Sequence, residues 1–120
     1  LSLTNGWGLE DLSRDPAAVA AAAADPLQLE RATVRLGALG FAAQDRVKAR
    51  LDELAIPAFV TQGGQDTLVP PQETEVLGRI PGVTRRLYPT LRHETLFEPE
   101  GPEVTDDMVG WLRETVAQRG

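Results

Sequence analysis

Only two segments of this 120-residue sequence read as strands of a sheet, the first of them buried, and each is followed by a helix. Ala58-Phe59-Val60-Thr61 is a short apolar run, led in by Ile56-Pro57 and closed by Gly63-Gly64. Pro70-Pro71 then opens a helix expected through Arg79, with Val76, Leu77 and Ile80 facing inward. Pro81-Gly82 turns the chain into a second strand over 83–88. Val104, Met108, Trp111, Leu112 and Val116 recur at helical spacing, a closing amphipathic helix with Asp106 and Asp107 near its start. The order strand, helix, strand, helix is that of an α/β sheet. Two parallel strands are too few to stand alone, since parallel sheets are buried on both faces and a stable sheet needs three or more strands. The expectation is therefore the C-terminal part of a larger α/β protein, roughly half of it by the strand count such folds need. The sequence also begins at Leu1 rather than at Met, in keeping with a piece of a longer chain.

Residues 1–54 have a different character, helical and irregular with no convincing strand. Ser13 is a candidate N-cap and Asp15-Pro16 another helix start. The alanine-rich run 17–24 favours a helix, which Asp25-Pro26 stops because a residue before proline avoids the α region. Helical character resumes over 32–54, with breaks expected at Gly37 and Gly40 and with Val47, Leu51 and Leu54 on one stripe.

Composition removes several classes of function. The longest apolar run is eight residues, far below the roughly 20 of a membrane span. The first residues carry no basic segment of a secretory signal, which leaves the cytoplasm as the expected compartment. Without cysteine there is no disulfide scaffold, thiol nucleophile or Cys-type zinc site, and the single histidine argues against a His-cluster metal centre. No metal and no cofactor is expected. A net charge of −6 without a basic stripe disfavours nucleic acid as a partner.

Two residues carry candidate chemistry. Asp66 follows the end of the first strand and His93 the end of the second, where open α/β sheets place their sites. Neighbouring parallel strands lie about 4.8 Å apart, so their loops can bring a carboxylate to an imidazole. A carboxylate that accepts from Nδ1–H fixes the histidine tautomer and leaves Nε2 as a base. Gly63 and Gly64 are expected to permit the tight turn before Asp66. Each residue alone has an ordinary reading, as turn carboxylate or loop histidine; their order after successive strands favours a site. Glu94 beside His93 reads as a solvated or loop-bonding carboxylate, Trp111 as core, and Arg85-Arg86 as strand rim.

At these residues the sequence resembles a known family. Leu12-Ser13-Arg14-Asp15-Pro16, Asp25-Pro26-Leu27, Gly63-Gly64-Gln65-Asp66-Thr67-Leu68-Val69, Leu87-Tyr88-Pro89, His93-Glu94, Glu98-Pro99 and Trp111-Leu112 look like the C-terminal portion of the α/β-hydrolase fold. The likeness is strongest to its bacterial monoacylglycerol lipase and lysophospholipase-like group, filed with serine aminopeptidases. It implies that Asp66 is the triad acid and His93 the triad base, in the chain order Ser…Asp…His of that fold. It also implies that residues 1–54 are cap helices with their connection, and that 55–120 belong to the hydrolase core.

The G-x-S-x-G nucleophile motif and the oxyanion-hole segment of that family have no counterpart in these residues. Phe97 stands where relatives tend to carry Asn, and Arg92 and Thr95 also mark a less typical loop. The resemblance thus implies a serine hydrolase of lipid esters, monoacylglycerol or lysophospholipid, whose serine lies outside the chain and whose missing N-terminal half is its partner. These 120 residues alone are expected not to turn over. Leu27, Val34, Leu36, Leu39, Phe41 and Leu68 are candidates for an acyl-chain pocket; packing of cap on body is the competing role. Two alternatives stay open: a truncated, non-catalytic binding module, and an Asp-nucleophile relative of the dehalogenase or epoxide hydrolase type.

Overall fold

The computed structural model describes residues 2–4, 6–29 and 31–118. The chain opens with β1 (Ser2–Thr4) and a 3₁₀ turn at Leu9–Asp11, then enters α1 (Pro16–Ala24). Asp15, not Ser13, caps α1: its carboxylate accepts from Ala17 N–H at 2.8 Å. Ser13 lies too far upstream to reach the free N–H groups of the helix, and its hydroxyl bonds elsewhere. Asp25, extended before Pro26, ends α1 as expected.

β2 (Arg31–Thr33) pairs antiparallel with β1, Ser2 opposite Thr33 and Thr4 opposite Arg31. This corrects the reading of the first half as strandless. Three residues are too few to show an alternation, and the partner lies about 30 positions away. α2 (Val34–Lys48) follows, capped by Thr33, whose hydroxyl accepts from Leu36 N–H at 3.1 Å. It runs unbroken through Gly37 and Gly40, against expectation. A mid-helix glycine costs about 1 kcal/mol relative to alanine, which a capped helix rich in Ala, Leu and Arg absorbs. α2 ends before Leu51, which sits in a 3₁₀ turn (Leu51–Glu53), so the expected stripe spans two elements.

β3 (Ala58–Gly63), α3 (Pro71–Thr74) with its 3₁₀ continuation Glu75–Arg79, and β4 (Val83–Tyr88) form the parallel unit. The two strands pair in register from Ala58 opposite Val83 to Gly63 opposite Tyr88. Gly82 makes the entry to β4 with a φ of +81°, a left-handed conformation that only glycine adopts readily. Of the three residues expected to face inward here, Ile80 is buried and Leu77 half-buried, but Val76 is exposed, because the helix tightens to 3₁₀ at Glu75 and rotates it outward. After a 3₁₀ turn at Thr95–Phe97, α4 (Gly101–Ala117) closes the chain.

The core is small. Tyr88, Leu91 and Val104 pack together with Met108 against them, and Leu12 and Ile80 are the other buried apolar side chains among the described residues. Trp111 stacks on Phe59 with ring centroids 5.6 Å apart, and its indole N–H donates to Thr84. The accessible surface is 8552 Å², whereas a folded monomer of 13.0 kDa has about 6,300 Å². The radius of gyration is 16.4 Å, against about 14 Å for a compact domain of this length. Leu87 of β4 and Leu112 and Val116 of α4 are among the exposed apolar side chains.

Candidate active site

The site is built where the loops after β3 and β4 lie on one another. Gly64 N–H donates to Tyr88 C=O at 2.7 Å and Gln65 N–H to Leu91 C=O at 2.9 Å, which extends the strand pairing into the loops. The two glycines make this possible by their missing side chains rather than by unusual backbone angles. A Cβ at Gly63 would fall on the carbonyls of Arg92 and Leu91, and one at Gly64 on the backbone of Pro89.

Asp66, in the turn after β3, is buried and fully engaged. Oδ1 accepts from the peptide N–H groups of Leu68 and Val69, both at 2.9 Å. Oδ2 lies 3.0 Å from Nδ1 of His93 and 3.4 Å from the Gln62 amide nitrogen. Gln62 is held in turn: its nitrogen also donates to Gly63 and Val69 C=O, and its oxygen accepts from the Thr74 hydroxyl, which itself accepts from Arg85. Arg85, read from sequence as strand rim, therefore connects to Asp66 through Thr74 and Gln62.

The His93 side chain is 36% exposed while that of Asp66 is 5% exposed. A carboxylate sealed from water behind an accessible imidazole can orient and stabilise an imidazolium, and Nε2 is left to exchange a proton with a reacting group. His93 borders a cavity of about 440 Å³ with Trp7, Leu12, Gln28, Leu68, Val69 and Glu94. The structure thus brings Asp66, His93 and Leu68 together. Leu27, Val34, Leu36, Leu39 and Phe41 do not line this cavity and are exposed, Leu27 at 82% and Phe41 at 69%. Sequence reasoning missed Trp7, Leu12 and Gln28; an aromatic between Gly6 and Gly8 was the available signal for the first.

The end of β4 is anchored just before the histidine loop. Tyr88 O–H donates to Asp107 of α4 at 2.9 Å, and Arg86 pairs with the same carboxylate. Burial, then the bond to Asp107, pushes the Tyr88 hydroxyl up to about 12. Arg86, then Tyr88, holds the Asp107 carboxyl below its usual range.

The family profile described as serine aminopeptidase, S33, matches residues 1–100. The chain belongs to this family of α/β-hydrolases. This S33-family chain is 33% identical over 112 residues to the monoacylglycerol lipase of Mycolicibacterium smegmatis, covering 84% of this chain and 38% of that protein. It also superposes on the crystal structure of Paleococcus ferrophilus monoacylglycerol lipase with a TM-score of 0.86 at 29% identity, covering 93% of this chain and 45% of that one. The S33-family chain spans less than half the length of either relative. No helix among its described residues is long and apolar enough to cross a membrane.

Proposed function

We propose that these residues are the cap and the acid- and base-bearing C-terminal part of a serine hydrolase of lipid esters, monoacylglycerol or lysophospholipid, whose nucleophile lies outside the 120. The observation that carries this reading is the 3.0 Å approach of Asp66 Oδ2 to His93 Nδ1 at the carboxyl ends of paired parallel strands. The exposed apolar side chains of β4 and α4 and the extent of the two relatives support a companion half that brings the serine.

In this mechanism His93 Nε2 takes the proton of the attacking serine. Asp66 stabilises the imidazolium through Nδ1–H, and the proton then passes to the glycerol oxygen as the acyl-enzyme forms. A water activated by His93 releases the fatty acid in a second step. Trp7, Leu12, Leu68 and Val69 supply an apolar wall beside the imidazole for the substrate. Leu27, Val34, Leu36, Leu39 and Phe41, on the cap, do not line that cavity; they offer exposed apolar surface that an acyl chain or the companion half would cover.

The test is ester hydrolysis by the complete protein, with a fluorophosphonate probe to mark a serine. Hydrolysis of monoacylglycerol, with labelling of one serine and loss of turnover in His93→Ala, is the expected result. Full turnover in that variant, or an alkyl-enzyme ester on an aspartate instead, overturns the reading.

A further inference from the structure

Glu98 stands five positions after His93, and its side chain has no solvent exposure. A carboxylate so placed is tenable only when donors surround it. Oε1 accepts from the peptide N–H of Arg92 at 2.6 Å. Oε2 accepts from Arg14 twice, from its peptide N–H at 3.0 Å and from Nε–H at 3.1 Å. Arg92 immediately precedes His93. On the other side of the histidine, Glu94 N–H donates to Leu12 C=O at 2.8 Å. The peptide groups on both flanks of His93 are therefore tied, one through Glu98 and one directly, to the segment 12–14.

That segment is itself fixed. Ser13 donates its hydroxyl to Phe97 C=O at 2.8 Å and accepts from Asp15 N–H. The outer guanidinium nitrogen of Arg14 pairs with Glu100, and the guanidinium of Arg92 reaches the carbonyls of Glu10 and Ser13. A loop needing only to be packed would be held as well by an apolar side chain at Glu98. A buried charge with three directed donors, each a stronger bond for ending on a carboxylate, sets the position of Arg92 much more narrowly.

We propose that Glu98 is a positioning residue for His93, holding the Arg92 peptide against Arg14 so that the imidazole stays in line with Asp66. The proposal rests on the catalytic reading above. Glu98 does not touch the reacting atoms; it acts through the backbone on which His93 is mounted.

Glu98→Gln tests this in the complete protein. Glutamine has nearly the same shape, but its NH₂ must face the N–H of either Arg92 or Arg14, so one side of the clamp opens in either orientation. Small displacements of a catalytic group cost rate steeply, so kcat should fall about 10–100-fold while KM changes by no more than about twofold. The downfield Nδ1–H proton of His93 should broaden or vanish. Arg14→Met removes only Nε–H and the outer nitrogens, so it should give a smaller kcat loss of the same kind.

A folded Glu98→Gln protein with unchanged kcat and an unmoved His93 proton overturns the proposal. So does a kcat loss matched by KM with that proton intact, which is the signature of packing alone. If Glu98→Gln does not fold, Arg14→Met decides: normal kcat and an unmoved proton overturn it. If the wild-type protein hydrolyses no ester, the catalytic reading fails separately, and the proton signal then supports the clamp by its loss or rejects it by its persistence.

Discussion

Oδ2 of Asp66 and Nδ1 of His93 meet at 3.0 Å although the residues lie 27 positions apart. Neither residue reaches the other by local structure. The meeting depends on β3 and β4 ending in register, on two glycines that let the loops touch, and on peptide bonds that carry the pairing beyond the strands.

The pair predicts unequal effects on activity and stability. His93→Ala takes from the buried Asp66 carboxylate its 3.0 Å partner, so it should cost about 1 kcal/mol of stability and remove nearly all turnover. Asp66→Asn should lower kcat by about 10⁴, with some loss of stability because its NH₂ then faces the N–H groups of Leu68 and Val69 or His93. Steady-state hydrolysis and denaturant titration of the complete protein check both.

Gly63→Ala should act on the site through the backbone. The added methyl meets main-chain carbonyls of Arg92 and Leu91 rather than a movable side chain, so a destabilisation of about 1–3 kcal/mol is expected. Displacement of the histidine loop should reduce turnover by more than the loss of folded protein explains. Chemical denaturation and activity, measured on the same samples, separate the two.

Gln62→Leu should cost about 1–3 kcal/mol by removing the amide that donates to the buried Gly63 carbonyl and Asp66 carboxylate, while the Thr74 hydroxyl keeps Pro71 C=O and Arg85. The Asp66 carboxylate keeps its bonds to Leu68 and Val69, so turnover should survive in part. The urea midpoint and kcat at saturating substrate test this.

Alkaline pH should weaken the anchor between β4 and α4. Tyr88 is raised from 10.0 to about 12 in the folded protein, so the folded state holds a proton that the unfolded state releases. Stability is fully present below pH 10 and is lost as pH rises toward 12. Asp107 shows the opposite sign: its lowered carboxyl adds stability above its ordinary 3.8 that disappears as pH falls through its folded value. Thermal midpoints against pH should show the alkaline loss in wild type and a smaller one in Tyr88→Phe.

The 120 residues by themselves should expose apolar surface that a folded monomer of this size would cover. Strong binding of a hydrophobic dye and a broad, weakly cooperative thermal transition are the expected behaviour. A sharp two-state transition without dye binding would contradict it.

Much of the parallel unit was legible because its signals are local. An apolar run between Ile56-Pro57 and Gly63-Gly64 marks β3, the turn at Pro81-Gly82 marks the start of β4, and Val104, Met108 and Trp111 mark the inner face of α4. The pairing of Ser2–Thr4 with Arg31–Thr33 had no such signal. Glu98 was noticed only as part of a resemblance, because a glutamate beside Pro99 reads as a solvated loop charge until Arg14 and Arg92 are seen around it. Trp7 was missed because nothing near it in the sequence reveals that it borders the same cavity as Leu12 and His93.

Residue order alone determined that two parallel strands would each be followed by a loop carrying a chemically capable side chain, since strand and helix signals act over a few neighbouring residues. Tertiary structure decided that Asp66 is sealed while His93 stays accessible, and that both flanks of His93 are pinned to segment 12–14. Those outcomes depend on burial and on hydrogen bonds between residues about 80 positions apart, which only the folded chain brings within 3 Å.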